Sequence, residues 1–227
     1  MFFFWLILAA VAVWAAFSIL ALVRAKTPME PALTPGDLGA ARDPEFFDLQ
    51  RQIMSEHGCM PAGDFVWHEG LVTICMRLFV EKTGKSYGWA VEEALAGRDG
   101  ARRAVSVLTE FTDGTLLDTT SGGPTSLAIP GWFLREAVAP DTELLLRRHA
   151  ERVAAAVAAG KEIKPAAQAS LIDTVRRNER RLSEYQVEAG RMRLVDGYLH
   201  LKISSAVGAL LRGLGRILIG PFRRGRG

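Results

Sequence analysis

The segment LVTICMRLFV, residues 71–80, decides the fold class of this 227-residue chain. Its apolar side chains stand at every second position: Val72, Ile74, Met76, Leu78 and Val80. Successive side chains of a strand point to opposite faces of a sheet, so a two-residue period is typical of a strand. The sequence therefore predicts a long strand that is buried on one side.

Further alternating runs follow this strand at short intervals. The turn sequences KTGK at 82–85 and GRDG at 97–100 separate it from two of them, and Asp113-Gly114 leads into another at 115–119. An Asp-Gly pair between alternating runs is a strong hairpin signal. Because parallel neighbours need long crossover connections, the short turns predict an antiparallel meander of four or five strands.

A helix is predicted before the meander, over residues 44–57. Asp43 is a typical N-cap, Pro44 suits the first helical position, and Gly58 suits the residue after the last turn. The predicted buried stripe of this helix consists of Phe46, Leu49 and Ile53.

Two more helices are predicted after a Gly- and Pro-rich connection at 121–131. Asp141 can cap the first, which runs to Gly160, and the second runs from about Pro165 to about Ala189. We expect these two helices to pair as a helical hairpin.

A basic amphipathic helix is predicted near the C-terminal end, because apolar residues repeat at three- and four-residue spacing from Ile203 to Leu218. The basic residues on it and around it are Lys202, Arg212, Arg216, Arg223, Arg224 and Arg226. Such a helix suits the surface of an anionic membrane leaflet. The alternative, favoured by the glycines within the segment, is that its apolar stripe docks on the sheet and leaves the arginine-rich tail free.

An uncharged, apolar run occupies residues 1–23 and is followed by Arg24 and Lys26. As a helix this run reaches about 34 Å, more than the hydrocarbon core of roughly 30 Å. It is longer than the apolar core of about 7 to 15 residues in a cleaved signal, and no basic residue precedes it. We therefore predict an uncleaved, single-pass transmembrane anchor. Because Lys and Arg favour the cytoplasmic flank, the body is expected at the cytoplasmic face, with a periplasmic or extracellular body as the alternative.

The sequence as a whole predicts an α+β protein in four parts. They are a transmembrane anchor at 1–23, a Pro-rich juxtamembrane linker at 24–43, a soluble α+β domain at 44–220 and a basic tail at 221–227. The prolines of the linker make it a semi-rigid spacer.

Charge and cysteine content disfavour two classes of partner. The net charge is only +3, and acidic residues interrupt the arginine-rich stretch at 176–181, so no nucleic-acid partner is expected. Cys59 and Cys75 are too few for a metal cage, and their separation along the predicted strands exceeds disulfide reach. We expect two reduced, structural thiols.

Motifs for catalysis and cofactor binding fail at specific positions. Gly84-Lys85-Ser86 matches the end of a phosphate loop, but Phe79 stands where its earlier glycine is required. The histidines lack the spacing of metal ligands, so we expect no cofactor, no metal and no catalytic residue. Convergence of His57, Cys59, Glu110 or His149 in one cleft would instead favour a catalytic function.

An anchor joined to a body without catalytic motifs is typical of a membrane-bound accessory or interaction protein, with the lipid bilayer and a protein as its partners. The alternative is a small-ligand or lipid-binding domain with an apolar cavity under the sheet, and a membrane-anchored hydrolase is third. Four aromatic residues would either line such a cavity or fill the core: Trp67, Tyr87, Trp89 and Trp132.

Overall fold

The computed structural model describes residues 15, 27–28, 34–69, 71–122, 129, 131–167, 170–196, 198–205 and 207. The chain divides into two compact units, one of residues 32–175 and one that combines 1–31 with 176–227. The predicted domain, 44–220, spans parts of both units.

The described residues form nine strands, three α-helices and one 3-10 helix. In chain order they are β1 Thr27–Pro28, the 3-10 helix Leu38–Ala40, α1 Pro44–Glu56, β2 Cys59–Glu69, β3 Val72–Glu81, β4 Tyr87–Leu95, β5 Arg102–Glu110, β6 Leu116–Thr120, β7 Phe133–Ala137, α2 Thr142–Ala158, α3 Leu171–Glu188, β8 Met192–Val195 and β9 Tyr198–Leu201.

A six-stranded sheet is the centre of the unit 32–175, and its strands lie side by side in chain order from β2 to β7. The pairs from β2 to β6 are antiparallel, which confirms the predicted α+β class and antiparallel sheet. These five strands agree with the predicted meander of four or five, and the sheet has a sixth strand that was not predicted. Strand β7 adds to the sheet in parallel to β6, because the connection over 121–132 is long enough to return the chain to the same end.

Strand β3 is buried on both faces, so the prediction of one buried side is wrong. Leu78 and Val80 are buried on one face, and Cys75 and Phe79 are buried on the other. The face of Cys75 and Phe79 belongs to the core that α1 and α2 cover. Strands that are buried on both sides show apolar residues at nearly every position, as β3 does.

Helix α1 confirms the predicted helix and its caps. The side chain of Asp43 accepts a hydrogen bond from the Phe46 amide at 3.2 Å, and Gly58 follows the helix with a φ of +78°. The predicted stripe is partly wrong, since Phe46 packs against the core but Leu49 is 54% exposed. The buried side chains of α1 are Phe47, Gln50 and Met54.

The error arises at Gln50, because a prediction from hydrophobic periodicity assigns every polar residue to the exposed face of a helix. Its side-chain oxygen accepts a hydrogen bond of 2.7 Å from the hydroxyl of Thr142, the first residue of α2. This buried pair lets a polar side chain face the core without a lost hydrogen bond.

Helix α2 confirms the second predicted helix. Asp141 accepts from the Leu144 amide at 3.0 Å, and Gly160 follows with a φ of +89°. The helix packs on β5 and β6. The third helix, α3, begins at Leu171 instead of about Pro165, and the pairing of α2 with α3 as a helical hairpin stays a prediction.

Residues 34–40, at the end of the predicted linker, lie on the sheet. The Val66 amide donates to the carbonyl of Thr34, and the Gly36 amide donates to the carbonyl of Asp64, each at 3.1 Å. Leu38 is buried in the same core as Phe47. These residues therefore extend the edge of the sheet at β2.

The unit of 1–31 and 176–227 contains a three-stranded sheet in the order β1-β9-β8. The hairpin of β8 and β9 was not predicted, although Asp196-Gly197 stands between two short apolar runs, which is a hairpin signal. Asp196 has the positive φ, +51°, that such a tight connection favours.

Much of the predicted membrane-contacting sequence lies outside the described residues. Among the described residues, no helix is long and apolar enough to span a membrane. The predicted anchor lies outside them except for Ala15, and Lys202 is exposed. Residues 203–205 and 207 of the predicted amphipathic helix are helical. The basic residues outside the described part are Arg24, Lys26, Arg212, Arg216, Arg223, Arg224 and Arg226.

Candidate functional site

A cleft of about 620 Å³ opens between α2 and the end of the sheet where β2 begins and β3 ends. All its lining residues belong to the unit 32–175. Ligand pockets in proteins typically have volumes of about 300 to 1,000 Å³, so the cleft is of the size that a small molecule fills.

The wall of the cleft is apolar and comes mainly from one stripe of α2. Its apolar residues are Val107 from β5, Leu146, Ala150, Val153, Ala154, Val157 and Ala158 from α2, and Ile163 from the segment that follows α2. The three alanines of the stripe stand four residues apart and therefore lie on one side of the helix. Their small side chains leave the volume open between the helix and the sheet.

Polar residues gather where the β-hairpin turn of β3 and β4 meets the start of β2. They are His57, Cys59, Glu81, Lys85 and Ser86. Cys59 and Glu81 are cross-strand partners, which fixes their positions in the sheet. The Glu81 carboxylate also accepts a hydrogen bond of 2.9 Å from the hydroxyl of Thr83. The cleft therefore has one charged end and a long apolar wall.

The floor of the cleft contains a buried hydrogen-bonded chain centred on His149. The two ring nitrogens of His149 bond threonine hydroxyls, Nε2 to Thr109 at 2.9 Å and Nδ1 to Thr119 at 3.1 Å. The Thr109 hydroxyl bonds the Ser86 hydroxyl at 2.8 Å. Every member of this chain is an uncharged group with a partner.

The imidazole of His149 is neutral. Burial, together with the nearby positive charge of Arg152, lowers the pKa of His149 to about 3. Arg152 is itself held at the sheet, donating to the hydroxyl of Thr119 and the carbonyl of Asp118 at 2.8 and 2.6 Å. His149 therefore cannot act as a general base of near-neutral pKa.

The thiol of Cys59 is protonated at neutral pH. Burial raises its pKa to about 11, and the negative charge of Glu81 acts in the same direction. Burial also raises the pKa of Cys75. Both thiols are free and buried, and Cys75 stands six residues along β3 from the partner of Cys59, roughly 20 Å at the strand rise of about 3.3 Å.

Three of the four candidate catalytic residues come together in the cleft, namely His57, Cys59 and His149. The fourth, Glu110, does not line it and instead bonds the ammonium group of Lys164 at 2.8 Å. Cys59 has a raised pKa and His149 a lowered one, and both shifts disfavour the transfer of a proton from this thiol to this imidazole that would form a thiolate nucleophile.

The four predicted pocket aromatics lie elsewhere. Trp67, Tyr87 and Trp89 pair across the sheet with Ile74, Val80 and Leu78, respectively, and so share the face opposite α1 and α2. Trp132 precedes β7, and its carbonyl accepts from the Leu116 amide at 2.5 Å. Among the described residues that line the cleft there is none of these aromatics.

The alanine stripe of α2 and the position of Ile163 in the cleft were not predicted from the sequence. A signal for the stripe exists, since alanines at a four-residue spacing on a helix leave space at its packing face. No local signal marks Ile163, which is positioned by a bridge to Phe111 at the end of β5.

A metal site has no support in the described part of the chain, where no three His, Cys, Asp or Glu side chains are placed to hold an ion. Comparison of the whole chain with protein-family models, with curated proteins and with solved structures finds no match.

Proposed function

We propose that this protein is a membrane-anchored, non-catalytic binding protein that takes up a small amphipathic molecule in the cleft beside α2. The ligand would carry an apolar body and a polar or charged head. Its apolar part would lie along α2, and its head would reach the charged end near Lys85 and Glu81.

The single observation that carries this proposal is the volume of about 620 Å³ along a mainly apolar wall. Apolar space of this size is costly to leave open to water, since burying apolar surface releases about 25 cal/mol per Å². A ligand that covers the alanine stripe of α2 would gain this energy, while the polar groups at one end would fix its orientation.

Binding is favoured over catalysis by the protonation states in the cleft. A neutral His149 and a protonated Cys59 are suited to packing and hydrogen bonding with an uncharged surface. A catalytic pair would need a base with a pKa near neutrality or a thiolate.

The membrane part of the proposal rests on the sequence of 1–23 and its basic flank. A tether keeps the cleft within reach of the bilayer, which is itself a reservoir of amphipathic molecules. The body is proposed to lie at the cytoplasmic face.

Saturable binding of dansyl-labelled undecanoic acid to the full chain in lipid nanodiscs tests this function, with empty nanodiscs as the blank. Ala154 is exposed and lines the cleft, so Ala154→Trp fills it without disturbing the buried core. We expect this variant to weaken probe binding by about tenfold or more.

Ala155→Trp is the matched control. Ala155 is also exposed and is the next residue of α2, but it does not line the cleft. This variant should bind the probe as the unaltered chain does. Binding no greater than that of empty nanodiscs, or equal binding by both variants, would show that the cleft is not a ligand site.

A further inference from the structure

The tip of the β8–β9 hairpin exposes a group of apolar side chains. Leu194 is 45%, Val195 41% and Tyr198 43% exposed, although all three belong to strands. Val195 and Tyr198 are direct cross-strand partners, so their side chains share one face beside the connection at 196–197. Leu194 points to the opposite face, so the tip exposes apolar side chains on both of its faces.

Basic side chains stand on the same hairpin, farther from its tip. Arg193 pairs with His200 across the strands and shares the face of Val195, two residues or about 7 Å away along the strand. Lys202 is exposed just after β9, and its amide donates to the carbonyl of Arg191 at 3.1 Å. The hairpin therefore has an apolar tip and a basic stem.

The hairpin is tied to the residues that follow the apolar run at 1–23. In strand β1, Thr27 pairs with Leu199 and Pro28 pairs with Tyr198. Thr27 is four residues from Val23, which is at most about 14 Å of extended chain. A span at 1–23 would thus hold β9 close to the membrane surface.

From these three observations we infer that the tip of the β8–β9 hairpin inserts into the interface of an anionic leaflet. The apolar tip enters the boundary between headgroups and acyl chains, Tyr198 takes the interfacial position that tyrosine favours, and Arg193 and Lys202 meet lipid phosphates. The inference rests on the membrane anchor of the proposed function and is independent of the cleft.

The positive charge of the hairpin favours an anionic lipid surface over a protein partner. Residues 191–202 contain Arg191, Arg193 and Lys202 against a single acid, Asp196. The spacing of about 7 Å between the apolar tip and Arg193 also matches the depth of about 5 to 10 Å to which interfacial elements insert.

Spin-label accessibility of the full chain in vesicles tests the inference directly. Nitroxide labels at Leu194→Cys and Val195→Cys are compared with a label at Leu71→Cys, a 70% exposed apolar position in the β2–β3 turn. In vesicles of phosphatidylcholine and phosphatidylglycerol, we expect the hairpin labels to be relaxed by oxygen and shielded from a water-soluble nickel complex. Nickel accessibility equal to that at Leu71 would overturn the inference.

The anionic requirement is tested with Arg193→Gln and Lys202→Gln. Each lost charge should reduce the ratio of inserted to water-exposed labels about fivefold, and vesicles of phosphatidylcholine alone should reduce it for the unaltered hairpin too. Unchanged insertion in both tests would overturn the assignment to an anionic leaflet. Extraction of the whole chain from vesicles by alkaline carbonate would instead refute the anchor. Water-accessible hairpin labels on a chain that resists this extraction would refute the hairpin inference alone.

Discussion

At the level of single residues, the cleft depends on groups that stay uncharged in a partly dry environment. His149 has both ring nitrogens bonded to threonine hydroxyls, and a positive charge there would lie close to the guanidinium of Arg152. Desolvation and this repulsion both penalise the imidazolium form. Folding is therefore linked to pH over the range in which this histidine titrates.

Acid should destabilise the protein through His149. Its pKa is about 6.5 when unfolded and about 3 when folded, so the unfolded chain binds the additional proton as pH falls through this window. Stability from this group is complete above about pH 6.5 and declines toward pH 3, with a slope that approaches about 1.4 kcal/mol per pH unit. Urea unfolding of the full chain in one detergent, at several pH values in this window, measures the decline.

His149→Gln is the control for that experiment, because its amide can bond a threonine hydroxyl but does not titrate. Carboxylates elsewhere in the chain titrate equally in both proteins. The variant should show a flatter dependence of unfolding free energy on pH. The same slope in both proteins would mean that His149 is not the group responsible.

Cys59 should react slowly with iodoacetamide in the folded protein. A pKa of about 11 leaves about a hundredfold less thiolate at pH 8 than the ordinary value of 9.0 does. We expect alkylation of Cys59 to be slower by about that factor than in the urea-unfolded chain, as followed by mass spectrometry of the peptide. Rapid alkylation in the folded state would contradict the burial of this thiol beside Glu81.

Between secondary-structure elements, the segment after α2 closes one side of the cleft. It crosses the end of the sheet, where the Lys164 amide donates to the carbonyl of Glu110 at 2.9 Å and the Ala166 amide donates to the carbonyl of Gly84 at 2.8 Å. Ile163 stands just before these attachments, forms a β-bridge with Phe111 and lines the cleft. The shape of the cleft therefore depends on this crossing.

Gly84→Ala should detach the crossing segment from the β3–β4 turn. Gly84 has a φ of +71°, and a Cβ there would lie only 2.8 Å from the carbonyl oxygen of Ala166. The positive φ alone costs about 1 kcal/mol for alanine, and the clash adds about 1 to 3 kcal/mol. Urea unfolding measures the total, and probe binding reports the change in the cleft.

Gly97→Ala separates the conformational cost of a positive φ from the steric clash with Ala166. Gly97 has a similar φ of +74°, with no heavy atom within 4 Å of the added Cβ among the described residues. This variant should lose only the conformational cost and keep probe binding. Equal destabilisation by both substitutions would show that the contact with Ala166 does not matter to stability.

Elements with a strong local period or cap could be predicted from the sequence. The two-residue period of β3 and the Asp-Gly turn before β6 gave correct strands, and the caps at Asp43 and Asp141 gave correct helix starts. In each case the decisive interaction is between neighbours in sequence. The antiparallel order follows because the turns are short.

Elements that depend on distant partners could not be predicted. Strand β7 has the sequence FLREA, in which Arg135 and Glu136 indicate an exposed segment. In the structure Arg135 pairs with Asp118 of β6 and Glu136 pairs with Arg148 of α2. The cleft is a harder case, because its volume results from the alanines of α2 and from the crossing of Ile163 over the sheet end. Neither the volume nor the crossing is encoded in a local pattern.

For the whole molecule, the proposed anchor and the proposed insertion of the hairpin both involve basic residues that would lie on the same side of a bilayer. Arg24 and Lys26 follow the predicted span, and Arg193 and Lys202 belong to the hairpin that β1 ties to this region. Basic residues near a span favour the cytoplasmic side, where the leaflet is also the more anionic. Insertion of the hairpin tip and a cytoplasmic body are therefore mutually consistent.

Reporter fusions after Gly227 should show that the C-terminal end lies in the cytoplasm of a bacterial host. A fused green fluorescent protein should be bright and a fused alkaline phosphatase inactive, because the flank at Arg24 and Lys26 is retained inside. Moving this charge to the other flank, with Phe2→Lys and Phe3→Lys combined with Arg24→Gln and Lys26→Gln, should invert part of the population and activate the phosphatase. Active phosphatase with the unaltered flank would place the body outside. The hairpin would then face a leaflet with less anionic lipid, so its labels should become more accessible to the nickel complex.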